Sequence, residues 1–259
     1  MFFYYQKPNI TIGDIYNACY IENHDLDDNI NLNSFLRPSI SSKNDLTFYT
    51  NNKYSSVTSS EIIITTKKLS SNFDKKKQLL LSSNIDIDIA KLSNLFYRKK
   101  NKNEVLELND YVVGVNAYIS NNSFINKGTV IGNNFSINDY SSIDHSCLIG
   151  NNVKIGKNVS LSNVIIGDNV NIGDGTKIGQ SGFGFAYYNN RIIDIFHIGR
   201  VIIQNDVRIG ANCTVDRGSF NDTFIGEKTH IDNLVHIAHN VIIGNNCIIA
   251  GQCGFAGSA

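Results

Sequence analysis

Aliphatic residues recur every six positions from Val113 to Phe255, and this period constrains the fold more than any other feature of the chain. It runs through 21 hexads, with two short slips and one longer pause. A period of six fits neither an α-helix nor a heptad, but it is typical of a parallel β-helix in which each side contributes one inward aliphatic. Three such sides make a coil of about 18 residues, so the sequence predicts about seven coils around an isoleucine core.

Glycine and asparagine cluster where such coils turn, for example in Gly132-Asn133-Asn134 and Gly150-Asn151-Asn152. We expect φ near or above zero at these corners, a conformation that both residue types tolerate. The pause, residues 179–200, contains the aromatic run Gly182-Phe183-Gly184-Phe185-Ala186-Tyr187-Tyr188. We interpret it as a loop that leaves one corner to cover a site.

Residues 1–104 lack the period and are predicted to form a separate small α/β domain with a polar linker. Ile62–Thr66 is typical of a buried strand, and Thr11–Tyr20 and Lys91–Lys99 favour helices. The predicted β-helix then occupies residues 105–259. The fold class is therefore mostly β, with an α/β domain preceding the solenoid.

The composition argues against several classes of protein. The chain has 23 Lys+Arg and 23 Asp+Glu, so no net charge attracts nucleic acid or an acidic membrane. No run approaches the roughly 18 apolar residues of a membrane span, and the first residues lack the order of a signal peptide, so we expect a soluble cytoplasmic protein. The five cysteines are scattered and form no CxxC, which disfavours both a disulfide framework and a zinc ribbon.

Polar residues that could carry chemistry are concentrated late in the repeat. The segment His230–Asn240 holds three of the six histidines beside one aspartate and two asparagines. Ile231 and Ile237 are predicted to point inward, so Asn233 and His239 occupy equivalent corners of successive sides.

Two groups of motifs, one late in the repeat and one in the first domain, resemble those of a single known family. The late group is Asp216-Arg217-Gly218, Ile231-Asp232-Asn233, Ile237-Ala238-His239-Asn240 and Ala256-Gly257-Ser258, after a GFGFA loop. In the first domain, Phe48-Tyr49-Thr50-Asn51-Asn52-Lys53-Tyr54 is similar to the family's uridine-binding F-x-x-N-x-K-Y signature. Both groups resemble those of the UDP-3-O-acylglucosamine N-acyltransferases of lipid A biosynthesis, and the likeness covers roughly residues 30–259.

The resemblance implies transfer of a 3-hydroxyacyl chain from acyl carrier protein to the 2-amine of UDP-3-O-acyl-glucosamine, without a further cofactor. His239 would be the general base, since a neutral imidazole accepts a proton near neutral pH. Asp232 would orient the His239 ring and stabilise the imidazolium. The backbone N–H of Gly257 would stabilise the oxyanion.

The resemblance also assigns the substrate contacts and the assembly. Phe48 and Tyr54 would sandwich the uracil, and Asn51 would contact its edge. Asn233 and Asn240 would contact sugar or phosphopantetheine. The family's β-helix is left-handed, against the usual right-handed crossover rule, and forms homotrimers with active sites between subunits.

Each assignment has a plainer alternative. His239 could be a structural corner residue, and Phe48 and Tyr54 could belong to the core of the first domain. Asp216 and Arg217 could form a surface ion pair worth under about 1 kcal/mol.

Other functions also remain open at this point. His230, His236 and His239 could bind zinc, as in hexapeptide-repeat carbonic anhydrases. The chain could be another hexapeptide acyltransferase, such as an O-acyl or acetyl-CoA-dependent one. It could also be a solenoid that binds UDP-sugar without catalysis.

The sequence departs from the family pattern at two places. Ser181 stands where the family usually has Asp. The family normally continues beyond the position of Ala259 with further coils, a second active-site histidine and C-terminal helices that engage carrier protein. We therefore expect a C-terminally truncated member that binds UDP-sugar but transfers acyl groups slowly.

Overall fold

The computed structural model describes residues 3–50 and 58–259, which form two compact units. One unit comprises Tyr4–Arg98 and Gly184–Phe196. The other comprises Phe3, Lys99–Phe183 and His197–Ala259. The first unit is α/β and the second is a solenoid, so the predicted fold class is confirmed.

The helices and strands before the repeat are short. In chain order they are β1 (Tyr4–Gln6), β2 (Ile10–Thr11), α1 (Ile12–Ala18), β3 (Asn31–Leu32), β4 (Phe35–Leu36), β5 (Leu46–Tyr49), β6 (Ile62–Thr65), β7 (Gln78–Leu81), α2 (Ile85–Phe96), β8 (Tyr97–Lys99) and α3 (Lys102–Leu106). Short 3₁₀ turns lie at Pro38–Ile40 and Ser70–Asn72.

The remaining strands follow the six-residue period, apart from one hairpin. They are β9 (Val112–Val113), β10 (Tyr118–Ile119), β11 (Phe124–Ile125), β12 (Val130–Ile131), β13 (Ser136–Ile137), β14 (Ser142–Ile143), β15 (Leu148–Ile149), β16 (Lys154–Ile155), β17 (Ser160–Leu161), β18 (Val164–Ile166), β19 (Asn171–Ile172), β20 (Lys177–Ser181), β21 (Phe185–Tyr188), β22 (Arg191–Asp194), β23 (Val201–Ile203), β24 (Arg208–Ile209), β25 (Thr214–Arg217), β26 (Thr223–Ile225), β27 (His230–Ile231), β28 (His236–Ile237), β29 (Ile242–Ile243), β30 (Ile248–Ile249) and β31 (Gly254–Phe255).

The solenoid has three faces, each a parallel sheet of seven strands. The first face is β9-β12-β15-β18-β23-β26-β29, the second is β10-β13-β16-β19-β24-β27-β30, and the third is β11-β14-β17-β20-β25-β28-β31. These 21 strands make seven coils and match the 21 hexads of the sequence. In-register pairs such as Ile119 with Ile137 stack the inward aliphatics into one buried core.

The corners use asparagine and glycine for different physical reasons. Asn134 and Asn152 have φ of 55° and 56°, in the left-handed region that asparagine tolerates. Gly150 does not have positive φ, contrary to our expectation for the corner glycines. A Cβ on Gly150 would lie 2.6 Å from the carbonyl oxygen of Gly167 in the next coil. Glycine is therefore needed at this position because the coils approach each other closely.

This close approach predicts a stability difference between two corner glycines. Gly150→Ala should lower the free energy of unfolding by about 1–3 kcal/mol, because the added methyl forces adjacent coils apart. Gly244→Ala is the matched control, since its Cβ would meet only the Cys247 sulfur at 3.9 Å. Chemical unfolding followed by circular dichroism measures both variants, and equal midpoints would contradict the steric explanation.

The α/β unit is built on a parallel four-stranded sheet in the order β4-β5-β6-β7. The predicted strand at Ile62–Thr66 is confirmed as β6, and α1 lies within the predicted Thr11–Tyr20 helix. The predicted Lys91–Lys99 helix is wrong at both ends. The helix starts at Ile85, where Asn84 Oδ1 accepts the backbone N–H of Ile87, and gives way to β8 at Tyr97.

The pause in the repeat is a β-hairpin, β21–β22, that belongs to the α/β unit. Ala186 of the hairpin packs with Ile87 and Ala90 of α2. Asn94 Nδ2 donates to the carbonyl of Asp194 at 2.6 Å. Our interpretation of the whole pause as a loop over a corner is therefore wrong for residues 184–196, which contact α2 instead.

Candidate active site

His239 lies at the corner where the third face turns into the first, between β28 and β29. Asn240 takes φ of 64° at this turn. The backbone N–H of Asn240 donates to Thr223 Oγ1 at 2.9 Å, and the N–H of Ser258 donates to the His239 carbonyl at 2.8 Å. The corner is thus hydrogen-bonded to the coils on both sides, and these bonds fix the backbone position from which the His239 side chain projects.

The Asn240 side chain determines which nitrogen of His239 carries the proton. Asn240 Oδ1 accepts the backbone N–H of Ser219 at 3.0 Å, and a backbone N–H can only donate, so this atom is the oxygen. The same oxygen lies 2.9 Å from His239 Nδ1. Nδ1 must therefore carry the proton, and the neutral ring has its lone pair on Nε2.

Two glycines flank the imidazole of His239. A Cβ on Gly257 would lie 2.6 Å from His239 Nε2, so the Gly257 backbone passes directly beside the basic nitrogen. On Gly182, a Cβ would lie 2.8 Å from the Cβ of His239. The structure thus brings the predicted residues His239 and Gly257 together, with room between them only because position 257 has no side chain.

His197 is a further residue of this site that the sequence motifs did not indicate. It is 1% exposed, and its ring centroid lies 5.5 Å from that of His239. The backbone N–H of Gly182 donates to His197 Nδ1 at 3.2 Å. The pKa of His197 is lowered to about 4, mainly by burial and then by the nearby Arg217 guanidinium and His239. The Arg217 backbone acts in the opposite direction and raises this pKa.

Asp216 is the carboxylate whose charge acts on His239. Its Oδ2 lies 3.8 Å from His236 Nε2. Burial raises the pKa of the Asp216 carboxyl, while His236 and His239 act in the opposite direction. Arg217 is only 5% exposed and its Nη2 donates to Ser181 Oγ at 3.3 Å. The alternative of a surface ion pair at positions 216 and 217 is therefore wrong, since the guanidinium is buried.

Asp232 and Asn233 occupy a different corner, between the second and third faces. Asp232 Oδ2 accepts the backbone N–H of Gly251 at 3.1 Å, and Asn233 Oδ1 accepts that of Ala211 at 2.7 Å. Within the chain, the side chain that contacts His239 Nδ1 is that of Asn240, and the role of Asp232 in orienting this ring stays a prediction. The Asn233 oxygen thus helps to hold two coils together, and its contact with a substrate stays a prediction.

His145 occupies the same corner position as His239 in an earlier coil, so the two histidines can be compared directly. It follows β14 as His239 follows β28, four coils earlier in the third face. Its Nδ1 lies 3.2 Å from Ser146 Oγ, a hydroxyl that can donate or accept, so the neighbour does not determine the tautomer. Only the later corner combines a defined tautomer with flanking glycines.

The predicted uridine contacts lie in the α/β unit. Phe48 is on β5, half-buried, with its ring centroid 5.4 Å from that of Phe35. Asn51 and Tyr54 fall outside the described residues. The stacking role of Phe48 therefore stays a prediction, and one side of its ring already packs on an aromatic neighbour.

The late histidines do not form a metal centre in the described part of the chain. No group of three or more His, Cys, Asp or Glu side chains there is arranged to hold a metal ion. His230 projects from the second face and His236 from the third. In the same residues, no helix has the length and apolar character needed to cross a membrane.

Comparison with known proteins finds two family models that match parts of the chain. The model described as "GlmU-like, C-terminal hexapeptide" matches residues 95–182, and "Bacterial transferase hexapeptide (six repeats)" matches residues 222–257. A UDP-3-O-acylglucosamine N-acyltransferase of Methylorubrum extorquens (strain PA1) is 58% identical over 55 residues. Both models describe hexapeptide repeats, so the predicted hexapeptide repeat is confirmed in these segments. The resemblance to the UDP-3-O-acylglucosamine N-acyltransferases is confirmed over these 55 residues.

The similarity to individual acyltransferases is local. The Methylorubrum match covers 21% of this chain and 16% of that enzyme. A UDP-3-O-acylglucosamine N-acyltransferase of Rhizobium rhizogenes (strain K84) is 59% identical over 54 residues, which is 21% of this chain and 15% of that enzyme. The solved UDP-N-acetylglucosamine acyltransferase from Campylobacter jejuni is 26% identical, with a TM-score of 0.48 and coverage of 54% of this chain and 53% of that one.

The Asn240–His239 contact predicts a different result for each of two substitutions of Asn240. Asn240→Leu removes the acceptor at His239 Nδ1 and should lower kcat about 10-fold or more, because His239 Nε2 is then no longer held in line with the attacking amine. Asn240→Asp keeps an acceptor and adds a negative charge, so the acid limb of the pH profile of kcat/KM should move to higher pH. Steady-state rates between pH 5 and 9 test both expectations, and an unmoved acid limb in Asn240→Asp would argue against the contact.

Proposed function

We propose that this chain is an N-acyltransferase that moves a 3-hydroxyacyl group from acyl carrier protein to the 2-amine of UDP-3-O-acyl-glucosamine. The observation that carries the proposal is the lone pair of His239 Nε2, directed by Asn240 and lying beside the Gly257 backbone. A base next to a close backbone amide is what acyl transfer to an amine requires. The acceptor is inferred from the names of the similar enzymes, and the donor from the motif resemblance.

The proposed reaction is a balanced acyl exchange. The substrate nitrogen attacks the thioester carbonyl carbon as His239 Nε2 takes one amine proton. The C–N bond forms, and the carbonyl oxygen gains a negative charge that the Gly257 N–H stabilises. The C–S bond then breaks, and the imidazolium returns its proton to the leaving thiolate. The products are an amide and a free thiol, so no redox partner or metal is needed.

Asp216 supports the charged intermediate of this scheme. Its carboxyl is 14% exposed and lies on the strand that ends beside the His239 corner. When His239 becomes an imidazolium, a partly buried carboxylate nearby stabilises it more than an exposed one would, because the local dielectric is lower. We assign to Asp216 the electrostatic role that the sequence assigned to Asp232.

The homotrimer is part of the proposal because the first face has an apolar outer surface. Its outward residues pair in register from coil to coil and are Val112, Val130, Leu148, Ile165, Ile202, Phe224 and Ile242. The two ends of this column, Val112 and Ile242, are 60% and 70% exposed. A second copy of the chain can cover an uncharged column without like-charge repulsion, about an axis parallel to the solenoid. Since His239 sits at the edge of this face, such a copy would reach the site.

The experiment that tests the proposal is an acyl-transfer assay with matched donors and acceptors. Purified protein is incubated with 3-hydroxyacyl carrier protein and UDP-3-O-acyl-glucosamine, and mass spectrometry detects the amide. We expect product with the free amine and none with the N-acetylated analogue. Efficient use of acetyl-CoA would indicate a different hexapeptide acyltransferase. Binding of UDP-sugar without transfer from either donor would indicate a non-catalytic solenoid.

A further inference from the structure

His197 is a buried polar residue, and burying its imidazole lowers the stability of the fold unless its ring nitrogens make hydrogen bonds. It is 1% exposed, and its Nε2 is buried without a hydrogen bond of ordinary geometry to any described residue. Burying a polar group costs free energy that packing alone does not return. The other ring nitrogen, His197 Nδ1, does have a hydrogen bond, which it accepts from the Gly182 N–H.

The Gly182 contact determines the state of the His197 ring. A backbone N–H only donates, so His197 Nδ1 must be unprotonated and Nε2 carries the single proton. An imidazolium, with protons on both nitrogens, would break this contact. Burial favours the neutral His197 ring most strongly, followed by the charges of the Arg217 guanidinium and His239, while the Arg217 backbone acts in the opposite direction.

Gly182 connects His197 to the proposed base. A Cβ on Gly182 would lie 2.8 Å from His239 Cβ and 3.2 Å from His197 Cε1, so the Gly182 backbone lies close beside both residues. The rings themselves are inclined by 72°. Asn240 holds His239 at Nδ1, and the Gly182 backbone limits its movement on the flank.

We propose that His197 is a positioning residue that, as a neutral ring, holds the Gly182 backbone against His239 and so keeps Nε2 aligned beside Gly257. The catalytic part of this inference rests on the proposed function, in which His239 is the base. The positioning itself is independent of the reaction, since it concerns the order of one imidazole in the folded chain.

Three variants test the proposal. His197→Leu keeps the approximate size but cannot accept from Gly182, and His197→Gln supplies an amide oxygen that can. His230→Leu, on the exposed second face, controls for the loss of a histidine. We expect kcat to fall about 10–100-fold in His197→Leu with KM for the UDP-sugar within about 2-fold, since misalignment of a base near 1 Å has effects of this size. His197→Gln should recover kcat to within about 3-fold.

A second measurement follows the His239 ring without any substrate. In the ¹⁵N-labelled 259-residue protein, the ring nitrogens of His239 should show the Nδ1–H tautomer in the parent and in His197→Gln. In His197→Leu they should move towards the averaged values of a mobile ring. If His197→Leu does not fold, Gly182→Ala gives the same test, because its methyl displaces both rings. An absence of acyl transfer in the parent would refute the proposed function but leave this measurement valid.

Two outcomes would overturn the inference. One is an unchanged His239 spectrum with unchanged kcat in the folded His197→Leu or Gly182→Ala variant. The other is a His197→Gln variant that is as slow as His197→Leu but shows the parent's His239 spectrum. The loss of rate would then not be caused by movement of the His239 ring.

Discussion

Replacement of His239 by alanine should lower kcat by about 10²–10⁴-fold while the solenoid stays folded, because general-base catalysis contributes this much. The fold should survive, since Asn240 Oδ1 keeps its contacts with the N–H and hydroxyl of Ser219. Steady-state kinetics with carrier-protein donor measure the loss, and circular dichroism with size-exclusion chromatography verifies the structure.

His145→Ala is the matched control for this substitution. His145 occupies the equivalent corner four coils earlier, where its neighbour is Ser146 and not an asparagine. We expect parental turnover in this variant. A loss of activity shared by both variants would point to the corner geometry in general, and parental turnover in His239→Ala would eliminate the proposed base.

Gly257→Ala should reduce kcat by about 10²–10³-fold, the range found for loss of one oxyanion donor. The added Cβ would lie 2.6 Å from His239 Nε2 and 2.8 Å from Cε1, inside van der Waals contact. It therefore blocks the lone pair and displaces the backbone N–H in one change. Rates at saturating substrate, together with the NMR titration of His239, separate a displaced base from a lost donor.

Gly254→Ala provides the comparison for Gly257. A Cβ at position 254, three residues earlier, meets nothing within 4 Å. Its turnover should match the parent. Equal turnover in Gly254→Ala and Gly257→Ala would contradict both the close approach of Gly257 to His239 and its role as an oxyanion donor.

The solenoid was predictable because its signal repeats. Each coil places its inward residues at the same spacing, so slips and substitutions such as Leu161 or Val215 are outweighed by the other hexads. The hairpin Gly184–Phe196 was not predictable in this way. Its position is decided by packing on α2, through residues such as Ala186 and Ala90 that lie far apart in sequence.

The candidate site was predictable only in part, because coil register and not sequence distance decides which groups meet. Asp232 is nearer to His239 along the chain, but counting from the paired Val215 and Ile237 places Arg217 one coil above His239. Applied earlier, that count would have favoured Asp216 over Asp232. His197 follows the hairpin and has no repeat position, so no pattern indicated it.

The discontinuity of the α/β unit has a consequence for folding during synthesis. Helix α2 is complete once Phe96 has been made, but the hairpin that packs on Ile87 and Ala90 is made about 90 residues later. At ribosomal rates of about 5–20 residues per second, this leaves that surface of α2 uncovered for roughly 5–20 s. The early coils of the solenoid are synthesised within this interval, and they can stack by local contacts alone. The C-terminal unit thus begins to form before the N-terminal unit can be finished.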